Sequence, residues 1–156
     1  FETVSEDSIL RKQIEEEERF NLFASANNNQ QSVENILFFT PIKGIITQSF
    51  NPKKRHLGVD VVAKENEAVK AVLDGTVALS SWTSETGYVI ALLHEHNLFS
   101  VYKHNSVLLK KQGAKVSAGE AIAIIGNSGE LSTGPHLHFE LWHNNKPINP
   151  EQYIVF

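Results

Sequence analysis

Cysteine and methionine are both absent from the 156 residues. Without thiols the chain can form neither a disulfide framework nor a thiolate metal site. That absence leaves the compartment open, because a cysteine-free chain survives oxidising and reducing conditions alike. With no methionine, and Phe1 at the front, we expect a processed or partial product, preceded by a signal peptide, a membrane anchor or an upstream domain. No apolar run approaches the ~20 residues that span a bilayer. An excess of positive charge is missing too. Fourteen Lys and Arg against eighteen Asp and Glu give a net charge of -4, so nothing electrostatic argues for nucleic acid or an anionic membrane as partner. What remains is the composition of an ordinary soluble domain, 41% hydrophobic and 21% charged, in a chain long enough to bury its own core.

The texture changes near residue 40. Residues 1–40 hold three Lys/Arg against eight Asp/Glu. Thr3 and Glu6 have capping-box spacing, and Ile9, Leu10, Ile14, Leu22 and Phe23 mark an apolar stripe. A short helical arm is expected there, with "IEEEERF" (14–20) turning its acids to solvent. "ASANNNQQS" (24–32) follows as a linker, because Asn and Ser compete with helical hydrogen bonds. Stalk, propeptide remnant and lid all fit the arm. We take residues 1–40 as arm and linker and 41–156 as the main domain.

From Pro41 onward, short β-rich runs alternate with Gly-centred turns: "GIITQSF", "GVDVVA", "AVKAVLDGTVALSSW", "GYVIALLHEHNLFSVYKH", "GAKVSAGEAIAIIGNSG" and "HLHFELW". Many closely spaced short strands predict a mainly β fold, an antiparallel sandwich or barrel. Tyr88–His94 and Leu98–His104 read as a hairpin across "EHN". A faint echo between 69–80 and 115–126, each with Gly in a turn, also suits carrier domains of biotinyl or lipoyl type.

Histidine is where the chemistry gathers. In "HLHFELW" (136–142), period-two alternation puts Leu137, Phe139 and Leu141 on one strand face and His136, His138, Glu140 and Trp142 on the other. His94 and His96 flank a predicted turn, where polar residues belong anyway, and read as structural or surface groups, as does His143. A second element, "HLGVD" (56–60), offers His56 and Asp60 around Gly58 at the entry to a strand. Both residue types ligate zinc, and ligands from separated segments let folding and binding reinforce each other.

Taken together, His56-x-x-x-Asp60, "YKHN" (102–105) and "GNSGELSTGPHLHFELW" (126–142) resemble the lysostaphin/LytM-type zinc endopeptidases that cut peptidoglycan peptides. The likeness spans about residues 41–150 and leaves out the arm. It implies one zinc per chain, held by His56, Asp60 and His138, and catalytic roles for His104 and His136. It implies a compact antiparallel β-domain of duplicated, sandwich/barrel-hybrid type with the site in an open groove. A peptidoglycan peptide as substrate and an extracytoplasmic location, periplasm or cell surface, follow from the likeness alone. One departure is local: "QSFNPKKRHLGVD" lacks the "FG-x-R" often seen there, with Asn51 in the glycine's place.

Two imidazoles and one carboxylate leave a fourth tetrahedral position for water, the pattern of a catalytic zinc site. There is no "HExxH" glutamate to serve as base. A histidine suits that task, with an unperturbed pKa near 6.5. The expected reaction is attack of zinc-bound water on a peptide bond, with His104 or His136 as base and the other aiding the oxyanion or leaving amine. Gly126, Gly129 and Gly134 are expected to serve turns and close backbone approach. Glu140 either orients a ligand histidine or faces solvent. Tyr102, two residues before His104, is expected on the same strand face and so near the substrate.

Two competing functions stay open. A non-catalytic scaffold of the same fold regulates other wall hydrolases, but such proteins lose metal ligands that this chain keeps. A carrier domain needs a modifiable lysine at a hairpin tip, and the doublet's turns carry Asp74-Gly75 and Ala118-Gly119 instead.

Overall fold

The computed structural model describes residues 11, 12, 14, 33–126 and 134–156. The expected capping box at Thr3–Glu6, the linker over 24–32 and Gly129 lie outside the described residues. Within them, ten strands form one antiparallel sheet that does not close on itself. The mainly β, antiparallel expectation is therefore borne out. In chain order the strands are β1 (Ile45–Gln48), β2 (Val59–Val62), β3 (Ala68–Lys70), β4 (Gly75–Thr83) and β5 (Gly87–Leu93). They continue with β6 (Leu98–Leu108), β7 (Lys115–Val116), β8 (Ala121–Ile125), β9 (His136–His143) and β10 (Lys146–Ile148). The main path runs β1-β2-β9-β6-β5-β4-β7, with β10 beside β9, and β8 bridging β3 to β6. None of the described helical residues belongs to a helix long and apolar enough to cross a membrane.

The central strands are apolar on both faces because two cores flank them. Leu137, Phe139 and Leu141 of β9 join Leu98 and Tyr102 of β6 and Ile90 and Leu92 of β5 in the larger cluster. The opposite face collects Phe99, Val101, Val89, Ala91, Leu93 and Trp142 in a smaller one. Phe99 and Trp142 stack there with centroids 5.4 Å apart. Two-sided burial explains why "YVIALL" reads as a continuous apolar run. Arg11, Lys12 and Ile14 are helical. Ile14 is buried in the smaller cluster, and the Arg11 guanidinium lies 5.2 Å from the Trp142 ring centroid.

The predicted hairpin joins β5 to β6, and its turn explains the "HEHN" run. His96 and Asn97 take positive φ, 65° and 60°, as tight hairpins require. His94 is a structural residue. Its Nδ1–H donates to the Asp74 carbonyl at 2.7 Å, and Nε2 pairs with Ser100 Oγ, also at 2.7 Å. Ser100 Oγ in turn shares a 2.8 Å bond with the Tyr102 hydroxyl, which accepts from Val72 N–H. This chain of bonds ties the β3–β4 loop to the hairpin across the buried Tyr102.

Burial of the ring, only partly offset by Asp74, lowers the His94 pKa to about 4. Between the unfolded value near 6.5 and this folded value, the unfolded chain binds a proton that the fold refuses, so stability falls as pH falls. The depression corresponds to ~3 kcal/mol lost between pH 6.5 and 4. Urea titrations across that range should show this slope, and His94→Gln should flatten it; an unchanged slope would show that His94 does not titrate there.

Candidate active site

Register brings the distant motifs together. Strands β2 and β9 pair with Asp60 opposite His138 and Val62 opposite His136. The pairing is close because residue 58 is glycine. A Cβ there would meet the Phe139 carbonyl oxygen at 2.2 Å, so any side chain would push the "HLGVD" strand off β9. Just upstream, Asn51 caps a 3-10 turn over Pro52–Lys54, and its own N–H donates to the His56 carbonyl at 2.8 Å. That turn folds His56 back over Asp60.

The ligand atoms of His56, Asp60 and His138 all lie within 4.8 Å of one another. His56 Nε2 faces Asp60 Oδ2 at 3.2 Å, and His138 Nδ1 faces Asp60 Oδ1 at 2.8 Å. A tetrahedral zinc with bonds of about 2.0–2.2 Å separates its ligand atoms by about 3.3–3.6 Å. The triad therefore needs only small adjustment to hold one. Hydrogen bonding fixes the other ring nitrogens. His56 Nδ1–H donates to the Ser49 carbonyl at 2.8 Å, which in the neutral ring leaves the Nε2 lone pair aimed at a carboxylate oxygen. Two lone pairs facing each other suit a cation between them. His138 Nε2–H donates to Glu140 Oε2 at 2.8 Å. Both rings thus have the outer hydrogen bond that metal-ligating histidines almost always make.

Charge is balanced in the same spirit. Burial alone would raise the Asp60 pKa, but the His138 hydrogen bond and the charge of the nearby histidines hold it below the usual carboxylate range. Burial opposes charging His138, yet bonds to Asp60 and Glu140 outweigh it and raise its pKa to about 9. Metal-free, the ring carries a proton where a cation would bind.

The two further histidines approach from β6 and β9. His104 and His136 have centroids 5.2 Å apart, and His104 stands 6.2 Å from His138. The expected parity of Tyr102 and His104 does not hold. On β5, Tyr88 pairs with Asn105 and Ile90 with Tyr102, so Val89 alone opposes both Lys103 and His104. This is a β-bulge, with His104 at φ 69° and its N–H donating to the Thr86 carbonyl at 2.9 Å. The extra residue puts Lys103 and His104 on the site's face and leaves Tyr102 on the other. Tyr102 is buried in the core, where desolvation raises its pKa, and it does not reach the cleft. Gly126 accommodates the bulge: a Cβ on it would meet the His104 carbonyl oxygen at 2.3 Å. Burial first, then the charge of His138 and His136, lowers the His104 pKa to about 4, leaving a neutral imidazole at pH 7.

Glu140 proves buried rather than solvent-facing. Beside His138, it accepts from Lys103 Nζ at 3.2 Å and from Trp142 Nε1 at 2.9 Å. Burial would raise its pKa, but the His138 hydrogen bond first, then the Lys103 charge and the Trp142 donor, hold it at about 2. His104, His138 and Glu140 line a cleft shared with Lys103, Arg55 and Arg11. Sequence reasoning had passed over Lys103, because the bulge that aims it at the site has no marker in "VYKHN". It had also left Arg11 out of the site, although the apolar spacing that singled out Ile14 marks the packed face of the arm.

Comparison with known proteins identifies the family. Residues 54–150 match the family model "Peptidase family M23". A Haemophilus influenzae protein named an uncharacterized metalloprotease is 37% identical over 115 residues, covering 67% of this chain and 24% of that one. Murein hydrolase activator NlpD of Escherichia coli is 31% identical over 117 residues, covering 73% of this chain and 30% of its own. The crystal structure of a zinc-containing peptidase from Vibrio cholerae superposes with a TM-score of 0.67 at 31% identity, over 73% of this chain and 39% of that one. The match thus spans about a quarter of the length of the curated relatives. Since the matched segment holds all the motifs that carried the lysostaphin/LytM likeness, this chain belongs to peptidase family M23.

Proposed function

We propose that the chain is a zinc-dependent endopeptidase acting on peptidoglycan stem peptides or cross-bridges, outside the cytoplasm. Residues 41–156 form its catalytic domain, and 1–40 its arm and linker. His56, Asp60 and His138 hold one zinc ion. The observation that carries the reading is the clustering of these three ligands within 4.8 Å beside two further histidines that make no part of the triad. A bound zinc would supply Lewis acidity to a water molecule and to the scissile carbonyl.

The protein's own groups do the remaining work. His104, kept neutral by burial, presents a lone pair at pH 7 and takes the proton from the attacking water. His136, its ring centroid 5.2 Å from that of His104, hydrogen-bonds the oxyanion, and the proton that His104 took passes on to the leaving amine. The bulge and the Thr86 carbonyl hold His104 at the cleft, so its orientation is set before substrate arrives.

The alternative is a non-catalytic scaffold that activates other wall hydrolases, and it is kept because NlpD, similar over 73% of this chain, is named an activator. Retention of three suitable ligands and both additional histidines favours the enzyme. Catalysis would need all five, whereas a docking surface would need none of them.

Metal analysis should find about one zinc per chain, and none in His138→Ala, which removes one of three ligands. Undiminished zinc in that variant would contradict the ligand set. His104→Ala should keep both fold and zinc while kcat on cross-linked muropeptides, read by mass, falls about 10²–10⁴-fold. Near-normal turnover would exclude His104 as base, and a zinc-loaded wild type that cleaves nothing would favour the scaffold.

A further inference from the structure

Lys103 is 7% exposed and Glu140 3% exposed, a buried ion pair beside His138. Stability alone is a poor reason for such a pair, since apolar replacements of similar volume are often as good or better. Its geometry points to a different role. Lys103 Nζ and His138 Nε2 converge on the same oxygen, Glu140 Oε2, at 3.2 and 2.8 Å. Trp142 Nε1 takes the other oxygen at 2.9 Å. Pinned at both ends, the carboxylate has one plane and one position. His138 then has a fixed acceptor for Nε2–H, and its Nδ1 faces Asp60 and His56.

Lys103 can do this because of its place in the sheet. It sits opposite His138 in the β6–β9 ladder. The bulge then lets it and the next residue, His104, share the site's face. Both residues of the bulge thus line the cleft, Lys103 reaching the carboxylate beside His138 and His104 standing next to the His138 ring.

We propose that Lys103 is a positioning residue, which acts through Glu140 to aim His138 Nδ1 at the metal centre. This rests on the zinc-peptidase reading but is testable apart from it. The full chain would be compared with Lys103→Met, Lys103→Arg and the double variant K103M/E140Q. Zinc affinity would be measured by competition with a chromogenic chelator. The His138 Nε2–H signal would be followed in the metal-free protein by long-range proton–nitrogen correlation NMR.

Folded Lys103→Met should bind zinc about 10–100-fold more weakly and lose exchange protection of the His138 Nε2–H signal. Lys103→Arg should recover much of both, which a purely space-filling role would not explain. Wild-type affinity with a protected signal in folded Lys103→Met would overturn the proposal. Should that variant fail to fold with Glu140 stranded, the double variant removes both charges of the ion pair and keeps an acceptor for His138. Weakened zinc and lost protection there would support the proposal, and wild-type values would overturn it. The NMR readout needs no metal, so a wild type that takes up no zinc, or holds zinc without cleaving, would sink the peptidase reading while leaving this one decided.

Discussion

One extra residue in β6 decides the character of the site. A regular strand alternates strictly, so a chain needing Tyr102 in the core and His104 over the cleft cannot be regular between them. The bulge at Lys103–His104 resolves the conflict at the cost of a left-handed backbone at a histidine, a conformation uncommon for any side chain other than glycine. Thr86 accepts the bulged N–H, and Gly126 leaves room for the carbonyl on the other side. Bulges gather next to active sites because they re-aim a side chain without rebuilding the sheet. Here two side chains are re-aimed at once.

Behind the bulge, rigidity accumulates by layers. Within the candidate triad, Asp60 of β2 and His138 of β9 are paired directly in the ladder, so their spacing is backbone spacing, while His56 is held by its bridge to Asn51. His56 and His138 each have one ring nitrogen fixed, His56 by the Ser49 carbonyl and His138 by Glu140. Glu140 is fixed in its turn by Trp142, which stacks on Phe99 and carries Arg11 over its ring. Orientation at the centre is therefore inherited from packing in the smaller core, two contacts away. Sites held in this way lie on strands rather than loops, which favours precision.

The parts of this arrangement that were legible in the sequence are those that obey period two. Alternation in "HLHFELW" correctly separated Leu137, Phe139 and Leu141 from the histidine face. Turn chemistry correctly demoted His96 to a hairpin, where its φ of 65° now has a reason. The same alternation failed at "VYKHN", since nothing in five residues announces an insertion into the ladder. It therefore put Tyr102 with His104 and hid Lys103. Glu140 was ambiguous because a strand face does not reveal whether it meets solvent or another core. The second core on that face is assembled from β4, β5 and β6, and only their pairing exposes it.

That second core also bears on how the chain is divided. Composition changes near residue 40, and an arm of acidic sequence looks separable. Yet Ile14 is 1% exposed among Ala78, Leu79, Val89, Phe99 and Trp142. Without it, the apolar face beside the cleft would open to solvent. Burying a side chain of this size contributes about 1.5–3 kcal/mol. Arg11, one helical turn before it, lines the cleft itself. The compositional boundary and the packing boundary are thus different lines. Charge density marks what faces water, whereas contact marks what folds together, and by contact residues 11 and 14 belong with the strands.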